Sequence, residues 1–350
     1  MKTRDTILNL GGLVALVLLL WWADGHLGNY AMRILNLSAI YIVLALSLNL
    51  ANGFTGLFSL GCAGFMAVGA YVSAILTMSP DVKDMNFFLE PLAPWLQNLT
   101  LPFGVALIAG GVCAAIAGLI VGLPVLRLRD DYLAIATLGF SEIIRVVITN
   151  LQGLTNGAQG LKSIPKYSTT WAVWGVALLS IYFMSRLVRS SYGRQLKAVR
   201  DDEIAAEAMG VNVFRVKVVS FTLSAFMAGV GGAMLGHMIT TIDPKMFSFM
   251  LTFNILLIVV LGGNGSISGS VIASIGVTVL MEAMRFLDEP LNFLFIKTDG
   301  LPGLRMVVFS ALLMIVVIFR QRGLMGDREL SWESLARTGL LPRSKKGGLA

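Results

Sequence analysis

The chain has 350 residues, 56% hydrophobic and only 13% charged, with a net charge of +7 and a mean hydropathy of +0.79. Soluble domains carry about 25% charged residues and disordered chains are more polar still, so a soluble enzyme and a disordered chain are both excluded. The main solvent is lipid, and 37 glycines suit membrane helices that approach one another closely.

An α-helix rises about 1.5 Å per residue, so about 20 apolar residues cross the hydrocarbon core. Ten segments read this way in chain order, near 7–22, 34–50, 57–78, 101–123, 131–150, 171–188, 216–240, 249–263, 267–285 and 303–319. The expected fold is an all-α integral membrane protein of about ten transmembrane helices, some short or broken at glycine. Lys2 and Arg4 precede the first segment as in a signal peptide. The residues after it, Trp21, Trp22, Ala23 and Asp24, offer no small-x-small cleavage site, so it reads as a retained anchor. Trp21, Trp22, Trp95, Trp171 and Trp174 fall near outer span ends, where interfacial indoles belong. Cys62 and Cys113 lie in apolar segments without ligand spacing and read as small buried hydrophobes. His26 and His237 are isolated, so no metal or cofactor site is expected.

Gly53, Gly56 and Ser59 form G-x-x-G-x-x-S, and Gly262, Gly265 and Ser268 repeat that spacing. Gly-interrupted segments in corresponding halves point to a transporter's pathway; the alternative is chance recurrence of two abundant residues. On the first reading the fold has two pseudo-repeat halves. Solute then passes beside Asn49, Gly53, Gly56, Ser59 and Gly61, and beside Gly262, Gly263, Gly265 and Ser266. The second break, which runs to Gly269, is either a cytoplasmic turn between two short spans or a broken helix. In both cases its irregular backbone must avoid lipid.

Glu142 and Arg145 are three apart on one face of a span. A charge at the bilayer centre costs about 2.5–3.5 kcal/mol on insertion scales, so the two are expected to pair and face the bundle interior. Their role is either a pathway or gate pair or a structural lock. Asn36, Ser47, Asn49, Thr137 and Asn254 are expected to bond across helices.

With a cytoplasmic N-terminus and ten alternating spans, 18 of the 27 Lys and Arg residues fall inside and 7 outside, Arg145 and Arg305 lying within spans. That distribution obeys the positive-inside rule and makes both termini cytoplasmic. The loop 79–100, with Lys83, is then outside. The longest charged inside stretch is 189–217, where Ser190 to Gly193 read as a turn and Arg194, Lys197 and Arg200 follow. Asp201, Asp202 and Glu203 open a two-turn helix over 202–209. Its apolar stripe is Ile204, Ala205, Ala208 and Met209, and Gly210 is its left-handed terminator. A helix this short is unstable alone in water. It either folds back on its own membrane domain or docks a cytoplasmic partner. No G-x-x-x-x-G-K-[ST] run occurs, so ATP-driven transport requires an ATPase on another chain.

Six motifs in order resemble one family. They are Asn49-Leu50-x-x-Gly53-x-x-Gly56-x-x-Ser59-Leu60-Gly61; Leu126 to Tyr132 with Ala136-Thr137-Leu138 and Glu142-Ile143-Ile144-Arg145; Thr155 to Leu161; Gly193-Arg194 through Ala205 to Gly210; Val260-Leu261-Gly262-Gly263-x-Gly265-Ser266; and Arg320-Gln321-Arg322-Gly323-Leu324. Together they cover about 40–325 and are similar to the branched-chain amino acid ABC transporter permeases, in particular the longer of two paired subunits. Cys62 departs from a His common in the family, and Asp130 from a Gly.

The resemblance implies a transmembrane permease domain over 1–325, with 189–217 as the ATPase-coupling segment and 326–350 as a cytoplasmic basic tail. Gly193, Arg194, Arg200, Asp202, Glu203, Ala206, Glu207 and Gly210 are the expected coupling residues. The implied partners are a second permease subunit, two cytoplasmic ABC ATPase subunits and an extracytoplasmic solute-binding protein, in a bacterial cytoplasmic (inner) membrane and without nucleic acid. The implied solutes are branched-chain amino acids, or urea and short amides, which the family also carries. The chain itself is not expected to be an enzyme. A self-contained secondary transporter is the alternative, but it needs ion-coupling carboxylates deep in spans, and only Glu142 and Glu282 approach that.

Overall fold

The structure is a computed structural model that describes residues 2–88, 90–128, 130–287, 291–293, 296–298, 304–319, 323–326 and 329. In chain order the helices are α1 (Lys2–His26), α2 (Asn29–Asn49), α3 (Cys62–Thr77), α4 (Pro80–Asn86), α5 (Pro94–Gln97), α6 (Phe103–Val125), α7 (Asp130–Asn150) and α8 (Gln152–Thr155). They continue as α9 (Thr170–Arg189), α10 (Ser191–Asp201), α11 (Glu203–Ala208), α12 (Val213–Ile239), α13 (Phe249–Gly262), α14 (Ile267–Ala283) and α15 (Leu304–Phe319). Two three-residue strands, β1 (Leu291–Phe293) and β2 (Ile296–Thr298), pair antiparallel with Leu291 opposite Thr298.

The ten apolar segments coincide with α1, α2, α3, α6, α7, α9, α12, α13, α14 and α15. Among the described residues, five stretches are long and apolar enough to cross a membrane: Asn29–Phe54, Phe103–Val125, Tyr132–Asn150, Thr170–Arg189 and Val213–Ile239. The third segment is helical only from Cys62. Ahead of it, α2 widens into a π-turn at Leu50–Phe54, and residues 55–61 are irregular.

Close approach of small residues builds the centre. A Cβ on Gly69 would lie 2.1 Å from the Gly229 carbonyl oxygen, and one on Gly110 would lie 2.7 Å from that of Gly69. α3, α6 and α12 therefore meet backbone to backbone, where dispersion rather than hydrophobic exclusion supplies the attraction. Asn36, Ser47, Asn49 and Thr137 bond across elements as expected. Asn36 donates to Thr170 Oγ1 at 3.1 Å, Ser47 Oγ to the Ser224 carbonyl at 2.7 Å, and Thr137 Oγ1 accepts from the Leu60 N–H at 3.0 Å.

The loops at the end opposite α10 and α11 are tied together. Leu161 and Ile242 exchange two backbone hydrogen bonds at 2.8 and 2.9 Å. Asn86 brackets Lys162, donating to its carbonyl at 3.0 Å and accepting from its N–H at 2.8 Å.

Several sequence expectations change. Lys83 is not a solvated loop charge: it is fully buried, and its ammonium donates to the carbonyls of Leu96, Gln97 and Leu99 at 2.8, 3.4 and 2.7 Å. Burial lowers its pKa from the usual lysine value. Trp174 packs in the core at 9% exposure rather than at an interface. Trp21, Trp22, Trp95 and Trp171 are exposed, as interfacial indoles would be. Cys62 is buried, but Cys113 is only half-buried. Arg129, the motif residues Arg320 to Arg322, and the tail over 330–350 lie outside the described residues.

Candidate functional site

The two glycine-rich segments meet at one place. Asn49 ends α2, and its carboxamide joins the two. Asn49 Nδ2 donates to the Ser266 carbonyl at 2.9 Å and to Ser270 Oγ at 2.8 Å, while Asn49 Oδ1 accepts from the Gly265 N–H at 2.8 Å. A buried amide so satisfied contributes roughly 1 kcal/mol per bond, and an orphaned partner costs more. Only glycine fits beside it. A Cβ on Gly53 would lie 1.8 Å from Asn49 Oδ1 and 2.3 Å from the Gly265 nitrogen.

The second break resolves into a turn between two short helices. A Cβ on Gly262 would lie 2.6 Å from the Gly269 carbonyl, so α13 and α14 touch backbone to backbone. Gly263 and Gly265 take φ of +111° and +83°, and Ser266 caps α14 by accepting from the Gly269 N–H at 3.0 Å. In the first segment Gly56 also takes a positive φ, +80°. The echo therefore holds at its middle glycine. It fails at the serines, because Ser59 precedes its helix while Ser268 lies inside α14. Ser59 is buried and held by Asn52, which accepts from its N–H at 3.1 Å. A Cβ on Gly61 would lie 3.2 Å from the Thr137 carbonyl oxygen. Gly53, Gly61 and Gly262 thus sit at packed contacts within this chain.

Arg200 connects this junction to the charged segment. Its Nη1 donates to the Gly53 carbonyl at 3.2 Å, and its Nε and Nη2 pair with Asp201 at 3.0 and 2.9 Å. The same side chain passes both positive-φ glycines. A Cβ on Gly56 would lie 3.1 Å from Arg200 Cγ, and one on Gly265 would lie 2.9 Å from Nη1.

The charged segment is two helices rather than a turn and one helix. Ser190 caps α10 by accepting from the Gly193 N–H at 3.2 Å, so Ser191 to Gly193 form the first helical turn. Gly193 is there because a Cβ would lie 2.3 Å from the Val188 carbonyl oxygen. Leu196 and Val199 bury one face of α10, and Arg194 points outward to bond Ser191 Oγ at 2.8 Å. Tyr192 donates to the Val216 carbonyl at 2.9 Å; burial pushes its phenol up to about 12, against the lowering pull of Arg215.

Asp202 caps α11, accepting from the Ile204 and Ala205 N–H groups at 2.9 and 3.0 Å. Gly210 ends it at φ +82°. Glu203 pairs with Lys217 on α12. The expected apolar stripe faces away from the chain: Ile204 and Met209 are 83% and 85% exposed. Ala206 is the residue that buries, so it anchors the helix and is not part of the displayed face. Glu207 is exposed and lines a groove of about 360 Å³ with Arg127, Phe214 and Lys217.

Glu142 and Arg145 pair at 2.6 Å, but both side chains remain about one-third exposed in the single chain, at 34% and 32%. Within this chain α7 packs along one side only. Tyr132, Ile135, Ile143 and Val146 on it are all more than half exposed.

The sequence reading missed Glu329. Its carboxylate accepts from the Ile267 and Ser268 N–H groups at 2.7 and 3.1 Å and from Ser268 Oγ at 2.7 Å, capping α14 from 61 residues away. Leu324 and Met325 donate to the last carbonyls of α13 at 2.7 and 3.2 Å. No local pattern encodes such a cap.

The profile of the family described as "Branched-chain amino acid transport system / permease component" matches residues 30–317. The chain is 33% identical to the high-affinity branched-chain amino acid transport system permease protein LivM of Escherichia coli K12, over 83% of this chain and 69% of that protein. It is 24% identical to a probable LivM of Methanocaldococcus jannaschii, covering 83% and 92% of the two chains. It is 25% identical to the permease protein LivH of Salmonella typhimurium LT2, covering 84% and 94%. No solved structure matches. The chain therefore belongs to the family of permease components of branched-chain amino acid transport systems, as a multi-pass membrane protein.

Proposed function

We propose that the chain is one transmembrane subunit of an ATP-binding-cassette importer. It pairs with a second permease, couples to two cytoplasmic ATPase subunits through residues 189–217, and receives solute from an extracytoplasmic binding protein. The membrane is the bacterial inner membrane, and both termini are cytoplasmic, as the Lys and Arg distribution supports. Branched-chain amino acids are the proposed solutes, following the names of the relatives.

One observation carries the coupling role. α11 is six residues long, is anchored by its Asp202 cap, Ala206 and the Glu203–Lys217 pair, and displays Ile204 and Met209 to solvent. Two large exposed apolar side chains on so short a helix support docking to another protein over folding back on this one. Arg200, one turn earlier, leads from that surface to Gly53 and the junction of the two glycine segments.

The test is reconstitution with the partner subunits in proteoliposomes, with labelled leucine and urea as alternative solutes. Leucine uptake should require ATP, both ATPase subunits and the binding protein. Uptake that persists without the ATPases identifies a secondary transporter and overturns the proposal.

A further inference from the structure

α7 carries an ion pair at a depth where lipid cannot solvate it. Glu142 sits 8 residues from the end of the helix at Asn150 and 12 from its start at Asp130, or about 12 and 18 Å along the axis. Arg145 does not reach out to the nearer end. Its Nε and Nη2 run back one turn to Glu142, and both meet the same carboxylate oxygen, Oε2, at 2.7 and 2.6 Å. Glu142 Oε1 and Arg145 Nη1 have no hydrogen-bond partner among the described residues, and both side chains stay about one-third exposed.

The pair belongs to a continuous outward face. Ile135, Gly139, Glu142, Ile143 and Val146 recur at helical spacing. The three aliphatic side chains are more than half exposed, and a Cβ on Gly139 would meet nothing within 4 Å. Gly139 leaves a notch between Ile135 and Ile143, one turn from Glu142, where the backbone of another helix can come close.

Other exposed faces of the chain differ. α6 and α13 contain no Asp, Glu, Lys or Arg, and α9 has them only in its last turn, at Arg186 and Arg189. Acyl chains can cover those faces without stripping water from a charge. On α7 they would meet a carboxylate oxygen and a guanidinium N–H and offer a hydrogen bond to neither.

We propose that this face of α7 is the membrane-embedded contact with the second permease subunit. The occupant is a transmembrane helix that crosses at Gly139 and brings a neutral hydrogen-bonding side chain, Asn, Gln, Ser or Thr, to Oε1 and Nη1. It brings no net charge, because the pair is already neutral. A second copy of this chain fits poorly. Two copies inserted the same way are related by an axis along the membrane normal, so at equal depth Glu142 would face Glu142 and Arg145 would face Arg145. The contact rests on the importer reading above, which supplies a second permease, and it covers an ion pair that one subunit leaves open.

The test uses the chain co-expressed with its second permease and the ATPases. p-Benzoylphenylalanine in place of Ile143 should photo-cross-link to the second permease. The same probe in place of Leu179, exposed on α9, should not. Gly139→Phe should lower the amount of second permease recovered with this chain by at least about tenfold, since a ring in the notch overpacks the contact. Gly175→Phe on α9, where a Cβ also meets nothing within 4 Å, should leave recovery unchanged, and both variants should accumulate in the membrane at the unmodified level. Adducts of Ile143 with lipid alone or with a second copy of this chain, equal cross-linking from both positions, or full recovery of the second permease by Gly139→Phe overturn the contact. If Gly139→Phe does not accumulate, the cross-link from Ile143 decides. Co-purification by the unmodified chain is measured alongside. If no second permease co-purifies, the importer reading falls; if it co-purifies and Ile143 gives no adduct with it, only the α7 contact falls.

Discussion

Arg200 Nη1 donates to the carbonyl oxygen of Gly53 at 3.2 Å, across 147 residues of sequence. One guanidinium thus links the helix that leads to the exposed α11 surface with the π-turn at the end of α2. That turn in turn abuts Gly265 through Asn49. A shift of α10 has a direct polar route to both glycine segments. Arg200→Ala should cut solute uptake by more than about tenfold, while ATP hydrolysis by the complex falls less, because the removed bond transmits rather than docks. Arg200→Lys should restore little, since an ammonium cannot bond Gly53 and hold Asp201 in one plane. Equal losses of uptake and hydrolysis would assign Arg200 to docking instead.

The glycine junction is closely packed. Gly53→Ala should destabilise the subunit by about 3 kcal/mol or prevent its accumulation, since overpacking costs at least about 1–3 kcal/mol and here the clash includes backbone. Gly139→Ala and Gly276→Ala, with nothing within 4 Å of the new Cβ, should leave thermal stability unchanged. Asn49→Ala should cost about 2–3 kcal/mol, because the Gly265 N–H loses its acceptor inside the bundle. Thermal unfolding of the purified variants separates these cases.

Gly56→Leu and Gly265→Leu test the pathway directly. Both positions have positive φ and touch Arg200, so a leucine is strained and displaces the guanidinium. The expected outcome is a complex with reduced stability and lost uptake. A variant that assembles and imports at the normal rate would remove these glycines from the transport mechanism.

The displayed face of α11 should behave as an interface. Glu207→Lys and Met209→Asp alter exposed side chains, so folding should be preserved and capture of the ATPase subunits lost. Gly210→Pro should abolish coupling as well, because a proline cannot take the observed φ of +82°. Ala206→Glu should instead unfold the segment, since Ala206 is the buried contact. Co-purification of the ATPase with each variant is the readout; normal capture by both surface variants would move the interface elsewhere.

Topology is best read at exposed positions. A cysteine at Met85 or Trp95, 76% and 72% exposed, should react with an impermeant reagent added outside, and one at Met209 should not. Labelling of Met209→Cys from outside reverses the orientation. A cysteine at Lys83 should label poorly from either side. Removing that ammonium also orphans three carbonyls, so Lys83→Cys should lower stability by about 2 kcal/mol.

Membrane residence, the ten apolar helices and the family were all legible without coordinates. They depend on features local in sequence: run lengths near the bilayer thickness, Lys and Arg counts between runs, and short motifs in fixed order. The α11 helix was legible for the same reason, since its Asp202 cap and Gly210 terminator are two or three residues from what they satisfy. Tertiary structure alone decided which way side chains face. Whether Ile204 or Ala206 packs inward depends on α12 lying beside α11, and Lys83 is buried because the segment 94–99 folds over it. Arg200 reaching Gly53, Asn49 joining Gly265 to Ser270, and Glu329 capping α14 all bridge 61 or more residues. Hydrogen-bond partners at such separations are chosen by helix packing, and one sequence carries no periodic signal for them.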